Sequence, residues 1–223
     1  MEYTTSSYTD ITVARLANLF RVDPQVVKYI VNKAVISGGA LLYALNESID
    51  PSTVYDMDIY INNKDAFRDI AIYLLKKTDG TAYMVDNRYG LSVNRKSSIV
   101  EIRSDNRRPF QLIYFQFNNP IDILNNVDMD CNQCALHYYG LTRSNWCIES
   151  HLTGTVRYIS KMLSHRIEKT LAKGFTLVPA LQFIDPDYID NRFDNSTEIN
   201  LDEFELGHII VPEPVYVWWD TAI

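Results

Sequence analysis

Hydrophobic residues recur at helical spacing in three segments of the first 80 residues. Two of these stripes consist of Val13, Leu16, Ala17 and Phe20 and of Val26, Val27, Ile30, Val31 and Ala34. Intervals of three and four residues predict amphipathic helices. Asp23 and Pro24 form a good N-cap and first position for the second helix. A third stripe over residues 64–77 follows Asn63, a plausible cap, and Asp79-Gly80 ends it.

Short apolar or alternating runs between these helices and after them predict strands. They cover residues 34–36, 56–61, 82–85, 91–94, 98–103 and 110–117. Pro120 begins a short predicted helix over 121–126, and further strands are predicted through 127–140 and at 146–148. A helical region is predicted from about His151, and residues 164–174 read as an amphipathic helix ended by Gly174. The first eight residues are expected to be loosely packed.

This order of elements predicts an α+β fold, a mixed sheet flanked by helices. The chain has 223 residues, of which 47% are hydrophobic, enough for one main domain with a full core. We expect a core with its N-terminal helix pair over residues 1–150. Residues 151–223 are expected to form a helical region and an extended acidic C-terminal tail that packs on the core, anchored by Trp218 and Trp219.

The composition limits the classes of partner. A net charge of −7 and a pI of about 5.1 argue against a large non-specific nucleic-acid surface, which needs excess positive charge. Three cysteines and no signal peptide favour a reducing, cytoplasmic compartment, that of a host cell if the protein is viral. No run of residues is long and apolar enough to predict a membrane span.

The segment 36–61 carries the clearest chemistry. A strand runs into Ser37, Gly38 and Gly39, a short helix over 40–45 follows, and the next strand bears Asp56 and Asp58. Residues two apart on a strand point to the same face, so these carboxylates lie close together. Such a pair repels itself and is favoured where a divalent cation neutralises it. Glycines before a helix allow close approach of a phosphate to the helix N-terminus.

This pattern resembles the DNA polymerase β-type nucleotidyltransferase superfamily, and in character its viral and phage members. The resemblance implies that Ser37, Gly38 and Gly39 bind a nucleoside triphosphate and that Asp56 and Asp58 are catalytic ligands of Mg²⁺ or Mn²⁺. The implied reaction moves NMP from an NTP to a hydroxyl acceptor by a two-metal mechanism. The acceptor stays open between an RNA end, a protein hydroxyl and a small molecule.

The third acid of the family pattern is displaced in this sequence. Gln111 stands where many relatives carry a carboxylate. Asp128 follows a short helix in a hydrophobic-Asp motif similar to that of some viral members, and it is our candidate third acid. Asp130 is predicted to share a strand face with it and is the second candidate. The alternative interpretation is that Asp128 is a turn or capping residue.

Arg166, Lys169 and Lys173 recur at helical spacing on the predicted helix 164–174. Basic residues on helices after the catalytic sheet often reach the triphosphate in this superfamily, so the resemblance implies a phosphate-binding role. A solvated basic helix face explains the same spacing without any ligand.

Two other functions are compatible with the sequence. The chain could be a catalytically inactive nucleotidyltransferase-fold binding or assembly module, which Gln111 favours. Alternatively, the first two helices resemble a helix-turn-helix of a DNA-binding regulator, although packing against the sheet is the favoured interpretation of this pair. A zinc site at Cys131, Cys134, His137 and Cys147 is disfavoured because only one CxxC pair is present.

Overall fold

A nine-stranded mixed sheet forms the centre of the described structure. The computed structural model describes residues 1–7, 10–85, 99–157, 164–178, 196–204 and 206, and of residues 164–166 it describes the backbone alone. The strands are β1 Tyr3–Ser6, β2 Val35–Ser37, β3 Met57–Ile61, β4 Thr81–Val85, β5 Ile99–Arg103, β6 Phe110–Tyr114, β7 Cys134–His137, β8 Gly140–Ser144, β9 Thr155–Val156, β10 Thr176–Leu177 and β11 Ser196–Glu198.

The order across the large sheet is β1-β8-β7-β2-β3-β6-β5-β4-β11. Strands β3 and β6 run parallel, and the other neighbouring pairs of this sheet are antiparallel. Strands β9 and β10 form a separate parallel pair. The mixed α+β architecture predicted from the sequence is therefore confirmed.

Helices flank the sheet, and their ends follow local capping chemistry. They are α1 Asp10–Phe20, α2 Pro24–Val31, α3 Gly38–Leu45, α4 Lys64–Thr78, α5 Pro120–Leu124, α6 Asn145–Thr153 and α7 Ser164–Ala172. The side chain of Asp23 accepts from the Gln25 N–H, and Asn63 caps α4, as predicted. Asp79 ends α4 in the left-handed conformation.

The two faces of the sheet differ in composition. One face packs against α1 to α4 in the main core, which includes Ile36, Ile59 and Leu112. The opposite face carries a smaller apolar cluster, which includes Val35, Ile113 and Phe115. Because side chains alternate along each strand, the residues between those of the main core all lie on this second face. The candidate site is built on it.

The N-terminal helix pair packs into the main core. Leu16, Phe20, Val27 and Ile30 are buried there, in agreement with the favoured interpretation of the pair as part of the fold. Lys28 on α2 is ion-paired with Asp10, and Lys33, just after the end of α2, is ion-paired with Asp69. Two lysines at the surface of this helix pair thus form ion pairs within the protein.

The N-terminus differs from its sequence-based prediction. Residues 3–6 form β1, an edge strand that pairs antiparallel with β8, in the register Tyr3 with Ser144. The Tyr3 hydroxyl donates to Asn125 Oδ1 at 2.6 Å, and burial raises the pKa of Tyr3 to about 12. The prediction of a loosely packed start was wrong because the partner strand lies more than 130 residues away.

Residues 128–156 also differ. Asp130 lies in a 3₁₀ turn, Asp130–Asn132, and not on a strand, so it does not share a strand face with Asp128. The Asp130 N–H donates to the Arg157 carbonyl, which draws this turn away from the sheet. The predicted strand at 146–148 lies inside α6, because the Ser144 side chain accepts from the Cys147 N–H and caps a helix there. Helix α6 ends at Thr153, and Gly154 follows in the left-handed conformation.

Several predictions lie outside the described residues. They concern the strand at 91–94, the part of the predicted helical region over 158–163, most of the acidic tail, and Trp218 and Trp219. On α7, the amphipathic pattern predicts that Ile167 and Leu171 lie on the buried side; this was wrong for Leu171, which is 48% exposed. Among the helices that the structure describes, none has the length and apolar character needed to cross a membrane.

His137 makes the fold sensitive to acid. The Tyr139 N–H donates to His137 Nδ1, so Nε2 carries the proton of the neutral ring and donates to Thr142 Oγ1. Burial lowers the pKa of His137 below the usual value of about 6.5. The unfolded chain then binds more protons below that pH, and the free energy of unfolding falls as the pH falls from about 6.5 through the lowered pKa.

We expect His137→Gln to lose less stability than the wild type between pH 7.5 and 5.5. Urea unfolding at the two pH values gives the loss for each protein, and the contributions of the other titrating groups cancel in the difference between the two losses. Equal losses in both proteins would contradict the assignment to His137.

Candidate functional site

Strand β2 runs directly into α3 through Ser37, Gly38 and Gly39. Gly38 has a φ of +77°, which glycine adopts at little cost. A Cβ added to Gly38 would collide with Asp58 Oδ2 and would lie 3.1 Å from Asp58 Cγ. The missing side chain therefore lets the Asp58 carboxylate pack directly against the start of α3.

Ser37 is buried and its hydroxyl is directed into the sheet. Its Oγ donates to the Cys134 carbonyl at 2.8 Å, so it makes no capping hydrogen bond to α3. The first N–H groups of α3 are thus left without a Ser37 cap, and such groups attract anions. A phosphate role for Ser37 would use its backbone, because its hydroxyl is engaged.

Asp58 belongs to a polar row that crosses the second face of the sheet. It is the register partner of Ser37 on β2 and of Gln111 on β6, and Gln111 in turn pairs with Glu101 on β5. Asp56 precedes β3 and is partly exposed, as is Asp58. The row places a second carboxylate, that of Glu101, two strands away from Asp58.

Glu101 is almost fully buried, with 6% of its surface exposed. Its Oε2 accepts from Arg103 Nε at 2.9 Å and lies 2.8 Å from Arg103 Nη2, and its Oε1 accepts from Gln111 Nε2 at 3.2 Å. Arg103 also donates to the Ser196 hydroxyl and lies over the Tyr83 ring. Every oxygen of this buried carboxylate has a partner, as a stable buried charge requires.

Two lysines from α7 and the turn after it reach the site region. Lys173 Cε and Nζ both lie 3.6 Å from the position that a Cβ on Gly39 would occupy. Lys169 Nζ lies 5.2 Å from the centre of the Tyr55 ring, which is 59% exposed and adjoins Asp56. The side chain of Arg166 lies outside the described residues. The structure therefore brings Lys173 to the glycine turn.

The two candidate third acids lie in different surroundings. Asp128 and Lys173 both act electrostatically on Cys131, in opposite directions, so both lie near that thiol. Asp130 is fully buried; burial raises its pKa, while the Arg157 N–H, which donates to Oδ1, acts against this rise. The Arg157 guanidinium lies 3.7 Å from Asp130 Oδ2 and binds Glu149 through both terminal nitrogens.

The cysteines form a buried structural group. Cys131, Cys134 and Cys147 are free thiols, at most 1% exposed. Burial raises the pKa of Cys131. The pKa of Cys147 is also raised, chiefly by its hydrogen bond with Cys134 and secondly by burial. Cys147 Sγ also contacts His151 Nε2 at 3.5 Å. Protonated buried thiols are poor nucleophiles.

The residues at the glycine turn fit a divalent cation. In the described ranges, no three Cys, His, Asp or Glu side chains converge in a way that could hold a metal ion. Mg²⁺, however, is commonly held by one or two carboxylates together with substrate phosphates and water. Asp56 and Asp58 supply two such oxygen donors, and the space that Gly38 leaves beside Asp58 keeps the carboxylate close to α3.

Two residues near the site were not selected from the sequence. Glu101 interrupts the apolar run of β5, and a lone acid in such a strand is a weak signal of a buried polar contact. Tyr55 precedes the first aspartate, and nothing in its local pattern distinguishes it from a core aromatic. Both become recognisable only through contacts that the structure shows: Glu101 with Gln111 on β6, and Tyr55 with Lys169 on α7.

Solved structures of CCA-adding enzymes share this fold. A Thermotoga maritima CCA-adding enzyme complexed with tRNA matches with a TM-score of 0.50 and 15% identity, over 80% of this chain and 43% of that one. A complex of a CCA-adding enzyme with CTP matches with a TM-score of 0.50 and 16% identity, over 80% and 43%. The chain thus spans less than half of these enzymes, which are members of the polymerase β-type nucleotidyltransferase superfamily.

At this level of identity the likeness shows the fold alone. No curated protein matches the chain. A family model does: that of the Gabija anti-defense 2 family proteins matches residues 10–151, more than half of the sequence. This match covers α1 to α5 and most of α6, and with them the glycine turn, both aspartates of the β3 region and Gln111. The chain therefore belongs to the Gabija anti-defense 2 family.

Proposed function

We propose that this protein is a metal-dependent nucleotidyltransferase that moves NMP from an NTP to a hydroxyl acceptor: the acceptor oxygen bonds to the α-phosphorus, loses its proton, and pyrophosphate leaves. The observation that carries the proposal is the packing of the Asp58 carboxylate against Gly38 at the start of α3. On a nucleotidyltransferase-like fold, this places an acidic cation site beside a helix N-terminus that attracts phosphate.

Each residue of the site has a proposed task. Asp56 and Asp58 hold a first cation, and Asp128 completes the set of acids at the second cation of the two-metal mechanism. Gly38, Gly39 and the Ser37 backbone receive the β- and γ-phosphates. When bound, Mg²⁺ or Mn²⁺ supplies a Lewis acid for the α-phosphate and lowers the pKa of the acceptor hydroxyl.

The basic residues neutralise the triphosphate. Lys173 is placed beside Gly39, close to the phosphates in this proposal. Lys169 lies over the Tyr55 ring, and Arg166 is included because it recurs with the two lysines at helical spacing in the sequence. Fixed positive charges next to the glycine turn lower the energy of the bound triphosphate and orient its α-phosphate toward the acceptor.

The family name supplies the biological setting. A Gabija anti-defense protein of this fold would act by attaching a nucleotide to a hydroxyl on which that defence depends. A protein hydroxyl, an RNA end and a small molecule all remain candidate acceptors. The acidic net charge of −7 favours a compact acceptor over a long nucleic acid.

A second candidate function is a binding module that keeps the fold without catalysis. Gln111 supports it, because a neutral amide stands beside Asp58 where a third carboxylate would strengthen cation binding. The two candidates differ in whether nucleotide binding depends on a divalent cation and whether label is transferred.

The first test uses the wild-type protein. Isothermal titration with each of the four NTPs, with Mg²⁺, Mn²⁺ or EDTA present, is expected to show binding that needs the cation. α-³²P-labelled NTPs are then incubated with protein and with extracts that contain an active Gabija system, and RNA, protein and small-molecule fractions are counted. Cation-dependent label in one fraction supports transfer; cation-independent binding with no label in any fraction would favour the binding module.

A further inference from the structure

Gln111 lies directly beside Asp58 on the second face of the sheet. Strands β3 and β6 are parallel neighbours, and these two residues are register partners. Neighbouring strands lie about 4.8 Å apart, so a cation held by the Asp58 carboxylate is within reach of the side chain of Gln111. The side chain is partly exposed and points to the same face as Asp58.

Glu101 fixes the orientation of the Gln111 amide. Gln111 Nε2 donates to Glu101 Oε1 at 3.2 Å. An ionised carboxylate only accepts hydrogen bonds, so the NH₂ group must face Glu101 and the amide oxygen must face away from it. The strand order β3-β6-β5 places Asp58 and Glu101 on opposite sides of Gln111. The amide oxygen is therefore left on the side of Asp58.

Arg103 holds Glu101 in this arrangement. Two nitrogens of its guanidinium bind Glu101 Oε2, which leaves Oε1 for Gln111. Arg103 is itself fixed by the Ser196 hydroxyl and by the Tyr83 ring. Charge-assisted contacts of this kind are short and directional, so they keep the Gln111 amide from rotating.

We propose that Gln111 Oε1 is a neutral ligand of the divalent cation bound by Asp56 and Asp58, with Glu101 and Arg103 as positioning residues. This inference rests on the nucleotidyltransferase function proposed above. Amide oxygens are accepted ligands of hard divalent cations. The Gln111 amide oxygen and the Asp58 carboxylate are both electron-rich and repel each other when they are adjacent. A cation between them turns this repulsion into attraction to a shared centre.

A neutral third ligand has a consequence for affinity. The residues Asp56, Asp58 and Gln111 bring two negative charges to the cation where three carboxylates would bring three. Binding of the free cation is then weak, and the phosphates of the nucleotide supply the missing negative charge. The site loads metal and NTP together.

The test measures Mn²⁺ binding directly by electron paramagnetic resonance, with and without α,β-methylene-ATP. Gln111→Leu is expected to weaken Mn²⁺ binding in the ternary complex about 10-fold to 100-fold, the range typical when metal-site partners are lost. Gln116→Leu, at an exposed position just beyond β6, is the matched control and should bind as the wild type does. Circular dichroism and thermal melting establish that each variant is folded.

Two further variants separate the ligand from its support. Gln111→Asn keeps an amide but shortens it, so it should also weaken Mn²⁺ binding even if Gln111→Leu fails to fold. In Glu101→Gln the one remaining acceptor oxygen is favoured at Arg103, so an NH₂ group faces Gln111 and no longer fixes its amide; this variant should weaken binding less than Gln111→Leu.

The outcomes distinguish this inference from the proposed function. If wild type binds Mn²⁺ with nucleotide, Asp58→Asn does not, and the Gln111 variants bind as tightly as wild type, the ligand role is overturned while the function stands. If wild type shows no nucleotide-dependent Mn²⁺ binding, the function and the inference fall together. Weakened binding in the folded Gln111 variants supports both.

Discussion

Asp58→Asn is expected to abolish nucleotidyl transfer while the fold remains intact. The substitution keeps the shape of the side chain but removes one of two charges beside the proposed cation. Its Oδ2 adjoins Gly38, so it lies at the contact between the cation site and the phosphate site. Loss of one fixed group that stabilises transition-state charge costs about 10²–10³-fold in kcat, and loss of the cation itself costs more.

The measurement is label transfer from α-³²P-NTP under single-turnover conditions, with thermal melting to monitor the fold. Asp69→Asn is the matched control, because Asp69 forms an exposed ion pair with Lys33 on the helical surface. Such a pair is worth about 0–1 kcal/mol, so this variant should transfer as the wild type does. Transfer by Asp58→Asn at the wild-type rate would exclude the assignment of Asp58 to catalysis.

The elements that the sequence predicted are those whose signals are local. The stripe of α2 and its Asp23-Pro24 start lie within ten residues of each other, and the structure confirms both. The same holds for α4 with its Asn63 cap. It also holds for the turn at Gly38, because a glycine by itself indicates a position where a positive φ is possible. Hydrophobic period and capping chemistry suffice where no distant partner is involved.

The failures share the opposite property. Strand β1 forms because β8 provides an edge with which it can pair. The residues near Tyr3 do not indicate that such an edge exists elsewhere in the fold. Asp130 leaves the sheet because its carboxylate and backbone both bind Arg157, 27 residues away. A polar side chain with a distant partner overrides local β-propensity, which depends strongly on context.

The candidate site was predictable in part for the same reason. Gly38, Asp56 and Asp58 form a recognisable pattern because they are close in sequence, and the structure places Gly38 against Asp58. The pairing of Gln111 with both Asp58 and Glu101 depends on the parallel register of β3 and β6. The sequence shows only that Gln111 stands where relatives carry a carboxylate. The structure shows in addition that Glu101 orients its amide group.

Gly38→Ala is expected to lower both stability and activity, and to lower both more than Gly39→Ala does. The new side chain would have to adopt a φ of +77°, which costs an L-residue about 1–2 kcal/mol. Its Cβ would also collide with Asp58 Oδ2, so the carboxylate must move. A shift of about 1 Å in a catalytic group costs about 10²-fold in rate.

Gly154→Ala separates these two effects. Gly154 has a φ of +69°, and a Cβ there would meet nothing within 4 Å. It should therefore lose about 1 kcal/mol of stability from backbone strain alone, and transfer should be unchanged because Gly154 lies at the end of α6, outside the site. Urea unfolding and single-turnover transfer measure both variants. Because the strain is common to the two, the additional loss in Gly38→Ala reports the displaced Asp58 carboxylate; equal transfer rates for the two variants would mean that the position of this carboxylate does not control the reaction.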